Sequence, residues 1–271
     1  MASNNILLIN DITGYGKVST TAMIPVLSTY GYHTYDLPTA LVSNTLEYGR
    51  HSILDTTEHM RETISVWKAL GFSFDNIATG FINSREQVDL ITELINEQSD
   101  PFVMVDPIMA DNGCLYDGMY ENVIDCNRRL ASMSDLLVPN FTEATLLADM
   151  YTDRSSLDNE GYRKLSDALL DLGAKQVVIS GCISSEDGSS FNLVRDNNYD
   201  SYISVPFERE PEQFVGTGDV FSAMTMAEYL NGNSLAGSVD KAAAFIQKLI
   251  HENGPDHDHY DLDIEKYLHF I

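Results

Sequence analysis

Short apolar runs alternate along the chain with longer segments in which apolar residues recur at every third or fourth position. The first run, NILLIN at residues 5–10, is followed by the polar loop DITGYG at 11–16, as expected of a buried parallel strand. Residues 17–31 then have the pattern of a helix that ends at Gly31, and residues 32–38 that of a second strand. The chain therefore begins with a predicted strand–helix–strand unit.

The same alternation continues towards the C-terminus. The apolar positions of residues 57–70 predict a helix that ends at Gly71, because glycine commonly closes a helix. Further helices are predicted at 84–97, 142–150, 159–172, 218–230, 235–252 and 262–270. Further strands are predicted at 77–80, 101–105, 135–138 and 176–180, with a hairpin formed by 190–195 and 201–205 around DNNYD.

Strands that alternate with helices indicate a mostly parallel sheet covered by helices on both faces. The predicted fold is therefore a three-layer α/β/α sandwich. No linker, internal repeat or low-complexity tract interrupts the pattern, so we expect one domain over residues 1–271. Ligands of such sheets bind beyond the carboxyl ends of the strands, which is where candidate chemistry is expected.

The charge balance narrows the range of partners. Acidic residues number 41 against 16 basic ones, which gives a formal net charge of −25. This charge disfavours binding to nucleic acid and to anionic lipid. No apolar run reaches the roughly 18 residues of a membrane helix, and the N-terminus lacks the features of a signal peptide. The three cysteines form no CxxC pair, so neither a disulfide framework nor a structural zinc site is expected, and the cytoplasm is the expected compartment.

Polar or glycine residues follow several of the predicted strands. Each of them could be a turn residue or a helix cap, but five strand ends share this property. The residues are Asp11, Gly80 with Phe81, Asp106, Asn140 with Glu143, and Ser180 with Gly181.

The stretch GTGD at residues 216–219 precedes a predicted helix. Glycines at 216 and 218 allow a tight turn and a close approach of the backbone to a ligand. The free N–H groups of a helix start, together with the helix dipole, favour a phosphoryl group there. Asp219 could then accept a proton from an attacking hydroxyl, or it could simply cap the helix. From this motif alone the two interpretations are about equally supported.

Other nucleotide and catalytic motifs are absent from the sequence. There is no Walker loop, no G-x-G-x-x-G after the first strand, no G-x-S-x-G and no H-E-x-x-H. The segment HENGPDHDHY could bind a metal through His251, His257 and His259, but a solvated acidic segment is the favoured interpretation because nothing orients these side chains.

The chain resembles the pyridoxal (vitamin B6) kinase branch of the ribokinase-like superfamily, nearly from end to end. The matching segments occur in the family's order: INDITGYGK (9–17), LPTALVSN (37–44), DPIMADNGCLY (106–116), VPNFTEATLL (138–147) and GTGDVFSA (216–223). GTGD alone indicates only a sugar or vitamin kinase, whereas DPIMADNG and PNFTEA together with INDITGYG make the resemblance specific to the B6 branch. The resemblance implies ATP as phosphoryl donor, Mg²⁺ as cofactor, a B6 vitamer as substrate and a homodimeric assembly.

The resemblance also assigns roles to individual residues. It implies that Asp219 deprotonates the 5′-hydroxymethyl group of the vitamer, while the amides of Gly216, Thr217 and Gly218 stabilise the transferring phosphoryl group. For the remaining positions, it implies vitamer contacts by Asp11, Thr45 and Phe81, nucleotide contacts by Asp111, Asn140 and Ser180, and a water-mediated Mg²⁺ site at Asp106 and Glu143.

Two segments depart from the family pattern. The family commonly has SNHTG where this chain has SNTLEYG at 43–49, so Thr45 is an uncertain equivalent of the family's threonine. Ala110 and Cys114 replace a glycine and a lysine of GDNGK, and Cys114 is interpreted as a thiol without a catalytic role. The first departure bears on vitamer preference.

Two other functions stay open at this point. One is the hydroxymethylpyrimidine (phosphate) kinase of thiamin synthesis, whose first loop usually reads AGSDSSGGAG rather than NDITGYG. The other is a vitamer-binding protein without catalysis, which would have no use for the intact GTGD, Asp106 and Glu143.

Overall fold

The computed structural model describes residues 4–116, 119, 122–150, 155–198, 200–210, 214–254 and 262–271. The strands among them are β1 (Asn5–Ile9), β2 (Ile12–Thr13), β3 (His33–Asp36), β4 (Ala40–Val42), β5 (Ile53–Asp55), β6 (Asn76–Thr79), β7 (Phe102–Val105), β8 (Ala110–Asp111), β9 (Cys114–Leu115), β10 (Leu136–Leu137), β11 (Gln176–Ile183), β12 (Ser190–Asp196) and β13 (Ile203–Pro206). The helices are α1 (Ser19–Thr29), α2 (Thr57–Leu70), α3 (Arg85–Glu97), α4 (Asn122–Ala131), α5 (Phe141–Leu147), α6 (Asn159–Asp171), α7 (Thr217–Leu230), α8 (Leu235–Asn253) and α9 (Ile264–Tyr267).

Eight strands form the central sheet, in the order β13-β12-β11-β10-β7-β6-β1-β3. The neighbours from β3 to β11 pair in parallel, whereas β12 and β13 extend the sheet as an antiparallel hairpin. The predicted mostly parallel sheet and its terminal hairpin are therefore confirmed.

Both faces of this sheet are buried, and β1 shows how. Leu7 and Ile9 belong to a core cluster that also contains residues of α2, α3, α4, α5 and α6. Ile6 and Leu8 point the other way, into a second cluster with residues of α1, α7, α8 and α9. Because successive side chains of a strand face opposite sides, the continuous apolar run of β1 places a core on each face. The predicted three-layer α/β/α architecture is confirmed.

Several predicted boundaries agree closely with the structure. Helix α2 spans the predicted residues and ends at Gly71, whose backbone is left-handed with φ 73°. Helix α1 is shorter than predicted because Lys17 and Val18 remain in the loop that follows β2. Helix α5 begins at Phe141 and ends at Leu147, three residues before the predicted end.

Three regions were not predicted as regular structure. Helix α4 lies between the predicted strands 101–105 and 135–138, where the sequence analysis gave only a loop. Strands β4 and β5 form, with β2, a separate three-stranded sheet, and β8 and β9 form a small hairpin. None of the helices in the described ranges is long and apolar enough to cross a bilayer.

Candidate active site

The carboxyl ends of β1, β6, β7, β10 and β11 meet at one edge of the central sheet and open into a cavity of about 1520 Å³. All the residues that the sequence analysis singled out as site residues line this cavity. They are Asp11, Thr45, Phe81, Asp106, Asp111, Asn140, Glu143, Ser180, Gly216, Thr217, Gly218 and Asp219. The structure therefore brings together residues that are up to about two hundred positions apart in the chain.

The start of α7 forms one wall of the cavity. Gly216 precedes the helix with a left-handed φ of 83°, and no side chain caps the helix start. A Cβ atom at position 216 would lie 2.0 Å from the carbonyl oxygen of Lys17, so only glycine fits. Gly216 occupies the N-cap position and Asp219 lies three residues later, inside the first turn, so Asp219 is not the N-cap residue. The amides at this helix start remain available to a ligand.

Asp219 is buried in a way that changes its acidity. Its Oδ1 atom has no hydrogen-bond partner among the described residues. Burial, followed by the negative charge of Asp106, raises the pKa of Asp219 to about 8. Once ionised, a carboxylate with so raised a pKa is a stronger base than an ordinary aspartate, which suits it to accept a proton from a hydroxyl.

Asp106 follows β7 and is held by a residue of α7. Its Oδ2 atom accepts a hydrogen bond of 2.6 Å from Oγ of Ser222. Burial raises the pKa of Asp106 to about 7, and the bond from Ser222 opposes this shift. Ser222 was missed by the sequence analysis, although it lies three positions after Asp219 and therefore on the same face of the helix.

Asn140 and Glu143 form a reciprocal capping box at the start of α5. Asn140 Oδ1 accepts from the Glu143 amide at 2.9 Å, and Glu143 Oε2 accepts from the Asn140 amide at 2.9 Å. Glu143 Oε1 also accepts from the amides of Met109 at 3.1 Å and Ala110 at 3.4 Å. Burial, with the charge of Asp106 second, raises the pKa of Glu143. Both residues thus fasten the loop after β7 to α5.

Asp111 and Ser180 lie on the same side of the cavity as this capping box. Asp111 is exposed, and its carboxylate accepts from the backbone and side-chain nitrogens of Asn112 at 2.7 and 3.1 Å. Ser180 pairs by a backbone bridge with Asn140, and its amide donates to the carbonyl of Pro139 at 2.9 Å. The Ser180 side chain faces the cavity from the last parallel strand.

Asp11, Thr45 and Phe81 lie on the opposite side, next to the three-stranded sheet. Asp11 is buried, and its Oδ2 atom accepts from Oγ1 of Thr13 at 3.0 Å. Burial raises the pKa of Asp11. The hydroxyl of Thr45 is buried at the cavity wall without a hydrogen-bond partner among the described residues, so it is a candidate contact for a polar group of a ligand.

Ser19 and Tyr116 line the cavity as well and were not singled out from the sequence. Ser19 has a left-handed backbone with φ 51°, which is strained for a residue with a side chain. Its hydroxyl bonds Asp11, and its backbone N–H lowers the pKa of Asp219. Burial and the charge of Glu143 raise the pKa of Tyr116. Neither environment can be recognised without the fold.

Asp106 and Glu143 are the residues of the cavity at which a metal ion is expected. No group of three or more His, Cys, Asp or Glu side chains among the described residues could hold an ion alone. Asp106 and Glu143 nevertheless offer carboxyl oxygens, the type of ligand atom that Mg²⁺ prefers. Burial raises the pKa of both carboxyls, so a cation beside them would favour their ionised forms. This set fits Mg²⁺, which keeps several waters and is completed by substrate phosphates.

The histidine-rich segment contributes nothing to this site within the described residues. His251 is exposed on α8, and His257 and His259 lie outside the described residues. Cys114 is exposed on β9 at the cavity rim, and Cys126 and Cys182 are buried and unpaired.

Comparison with known proteins places this geometry in context. Residues 20–263 match the family described as phosphomethylpyrimidine kinase. The hydroxymethylpyrimidine/phosphomethylpyrimidine kinase of Bacillus subtilis is 28% identical over 203 residues, covering 75% of this chain and 72% of that protein. The pyridoxal kinase PdxY of Histophilus somni is 25% identical over 242 residues, covering 85% of this chain and 82% of that protein.

Solved structures are similar over almost the whole chain. One is a crystal structure of a putative phosphomethylpyrimidine kinase from Bacteroides thetaiotaomicron with pyridoxal, at a TM-score of 0.92 and 30% identity, covering 98% of this chain and 94% of that one. Another is pyridoxal kinase from Leishmania donovani in complex with ADP and pyridoxamine, at a TM-score of 0.83 and 23% identity, covering 98% and 95%. At 23% identity, the similarity to the Leishmania donovani structure shows that the two chains share a fold.

Proposed function

Because this chain belongs to the phosphomethylpyrimidine kinase family, we propose that it is a pyridoxal kinase, which transfers the γ-phosphoryl group of ATP to the 5′-hydroxymethyl group of a B6 vitamer. One observation carries the proposal: a buried Asp219 oxygen without a partner among the described residues, on a carboxyl with a pKa of about 8, lies in the first turn of a helix whose N-cap residue is the glycine Gly216. The solved relative that contains pyridoxal, and the relatives named pyridoxal kinase, support the choice of substrate. The ADP complex of a structural neighbour supports ATP as the donor.

Phosphoryl transfer passes through a loose transition state, so positioning and charge stabilisation dominate its catalysis. In the proposed reaction, Asp219 takes the proton of the vitamer hydroxyl. The amides of Gly216, Thr217 and Gly218 stabilise the charge on the transferring group, since they stand at a helix start with no side-chain cap. Asp11 and Phe81 hold the pyridine ring, and the Thr45 hydroxyl bonds a ring substituent.

The nucleotide occupies the other half of the cavity in this proposal. Asp111, Asn140 and Ser180 lie along the phosphates, and Asp106 with Glu143 holds Mg²⁺ through water. When bound, Mg²⁺ neutralises phosphate charge during transfer. Arg209 and His51 are the basic side chains among the described residues that line the cavity. Neutralisation of the ATP phosphate charge therefore depends strongly on the bound cation and on the start of α7.

The alternative activity is phosphorylation of hydroxymethylpyrimidine or its phosphate. The matched family and the Bacillus subtilis relative, whose names describe that activity, favour it. The first loop favours the B6 vitamer, because DITGYG contains the buried Asp11 and no run like AGSDSSGGAG.

Assembly and compartment belong to the same proposal. Large apolar side chains are exposed on β3, β4, β5 and α2 and directly after α2, and they support a homodimer through these elements of a single-domain protomer. They are Tyr35, Leu41, Ile53, Leu54, Val66, Leu70 and Phe72. The three unpaired cysteines fit the reducing conditions of the cytoplasm.

A substrate panel tests the activity directly. Purified protein is incubated with ATP and Mg²⁺, and with pyridoxal, pyridoxine, pyridoxamine or hydroxymethylpyrimidine, and ADP release and the phosphorylated product are measured. We expect the highest kcat/KM with a B6 vitamer. A higher kcat/KM for hydroxymethylpyrimidine would establish the alternative, and binding of a vitamer without turnover would establish a binding protein.

A further inference from the structure

Asn10 is a buried residue directly after β1, between the sheet and the cavity. Its Oδ1 atom accepts two backbone hydrogen bonds, from the amide of Asp11 at 3.0 Å and from the amide of Phe81 at 2.8 Å. Its Nδ2 atom contacts Sδ of Met23 at 3.7 Å. One carboxamide oxygen thus joins the ends of β1 and β6 at the two residues proposed to hold the ring.

Gly80 makes this contact possible. A Cβ atom at position 80 would lie 2.4 Å from the carboxamide carbon of Asn10, so any larger residue would push the side chain away. The Gly80 amide also donates to the carbonyl of Ile9 at 2.9 Å, which continues the β1–β6 pairing to the edge of the cavity. The carboxamide is therefore confined between two strand ends.

A second set of bonds fixes Phe81 from the other side. Thr39 Oγ1 donates to the carbonyl of Phe81 at 2.7 Å, and the Thr39 amide donates to the carbonyl of Asn10 at 3.1 Å. The buried Gln87 donates from Nε2 to the Thr39 carbonyl at 2.8 Å. Both backbone polar groups of Phe81 are thus bound by residues that are themselves bonded to one another.

We propose that Asn10 is a positioning residue for the substrate ring: through the two bonds to Oδ1, it fixes the separation between the Asp11 carboxylate and the Phe81 ring. This inference rests on the proposed function and adds a determinant of vitamer affinity. Loss of the acceptor leaves two backbone N–H groups facing the buried position of residue 10 without a partner, which drives these two loops to rearrange.

Two substitutions at the same site separate the acceptor from the volume. Asn10→Leu keeps the approximate shape and removes the acceptor, whereas Asn10→Asp keeps a carboxyl oxygen in the same place. Asn76→Leu is the matched control, because Asn76 is buried at the opposite end of β6 and donates to the carbonyl of Asn5 at 2.8 Å. Thr39→Val removes the bond to the Phe81 carbonyl and tests the same arrangement if Asn10→Leu does not fold.

The measurements are KM for the vitamer, KM for ATP, the equilibrium Kd for pyridoxal without nucleotide, and Tm. We expect Asn10→Leu to raise KM and Kd for the vitamer at least about tenfold, with KM for ATP within about twofold of the wild type. Asn10→Asp restores most of the vitamer affinity, and Thr39→Val weakens it by a smaller factor. Asn76→Leu lowers Tm and leaves both KM values unchanged.

An active Asn10→Leu, or Thr39→Val in its place, whose two KM values change in parallel or not at all would overturn this inference and leave the proposed function standing. A wild-type protein that phosphorylates no B6 vitamer would instead overturn the proposed function. In that case, an unchanged pyridoxal Kd in Asn10→Leu still counts against the positioning role.

Discussion

Ser222 and Asp106 are joined by a hydrogen bond of 2.6 Å from the serine Oγ to the carboxylate Oδ2, across the junction between α7 and the end of β7. The same helix carries Asp219 one turn earlier. The proposed base and the proposed metal-holding carboxylate are therefore fixed relative to each other by a single short contact. Their mutual repulsion also contributes to the raised pKa of Asp219, after burial.

Ser222→Ala tests this contact. The bond from Ser222 lowers the pKa of Asp106, so its loss raises that pKa further above about 7. If turnover needs ionised Asp106, the alkaline shift moves the acidic limb of the kcat/KM profile for ATP to higher pH, and the rate at pH 7 falls about threefold to tenfold. The control is Ser238→Ala, since Ser238 is a buried helical serine that donates within α8 to Ser234 at 3.0 Å. An unshifted limb in Ser222→Ala would contradict the role of this bond.

Asp219→Asn removes the proposed base while keeping its shape. We expect kcat to fall by at least about 10², the factor typical of a general base, while pyridoxal Kd stays near the wild-type value. Steady-state kinetics and equilibrium dialysis check the two quantities. Near-normal turnover would show that another group accepts the proton.

The raised pKa values predict how stability depends on pH in the absence of ligands. In the unfolded chain, Asp219 ionises near its usual value of 3.8, whereas in the folded protein it holds its proton up to about pH 8. The folded state therefore binds more protons between these values, and stability is lost as the pH rises through this window. We expect Asp219→Asn to be more stable than the wild type at pH 8, by an amount on the order of 2 kcal/mol, and to lose this advantage towards pH 4.

Urea unfolding at several pH values, with a chelator present, measures this difference. Asp106 has a similar shift, to about 7, so part of the slope persists in the variant. The decisive quantity is the difference between wild type and variant as a function of pH. A difference that is constant from pH 4 to pH 8 would contradict the buried, protonated state of Asp219.

Gly216→Ala tests the close approach between the helix start and the loop after β2. The variant combines a left-handed φ of 83° with a Cβ position 2.0 Å from the Lys17 carbonyl oxygen. Gly31→Ala is the matched control, because Gly31 has φ 84° and no atom within 4 Å of the added carbon. We expect Gly31→Ala to cost about 1–2 kcal/mol and to keep its activity, whereas Gly216→Ala costs more and loses turnover. Equal effects of the two substitutions on urea unfolding would show that the approach is not tight.

The repeating units of the fold could be predicted because their signals are local. The apolar spacing of residues 57–70 and the glycine that follows them determine α2 at both ends, and β1 is recognisable from an uninterrupted apolar run. Helix α4 carried a similar signal, with Val123, Cys126 and Leu130 buried on one face, but its polar residues concealed the pattern in the sequence analysis. Strand β4 alternates between buried and exposed residues, but three residues are too few for the alternation to be recognised in the sequence, and the three residues of β5 are all exposed.

The residues of the candidate site also fall into two groups, those that a local sequence signal marks and those that only the fold reveals. Residues at strand ends and in GTGD were found because their position in a predicted element, or a family motif, marks them. Ser222, Ser19 and Asn10 were missed because their importance lies in a partner on another element, at distances that only the folded chain defines. The sequence also left Asp219 between cap and base, and the structure gives the N-cap position to Gly216, while the role of Asp219 as the base stays a proposal.

The separate three-stranded sheet has a consequence for how this family could diversify. The flap (residues 43–55) follows β4 and includes β5, so it lies outside the eight-stranded sheet. Asp106, by contrast, follows β7 of that sheet, and Asp219 lies on α7. Mutations in the flap would change the walls around the proposed vitamer site without replacing a residue of either core cluster. The segment SNTLEYG, which departs from the family's SNHTG, lies in the flap, so this departure would alter the acceptor side of the cavity and leave the residues proposed for phosphoryl transfer in place.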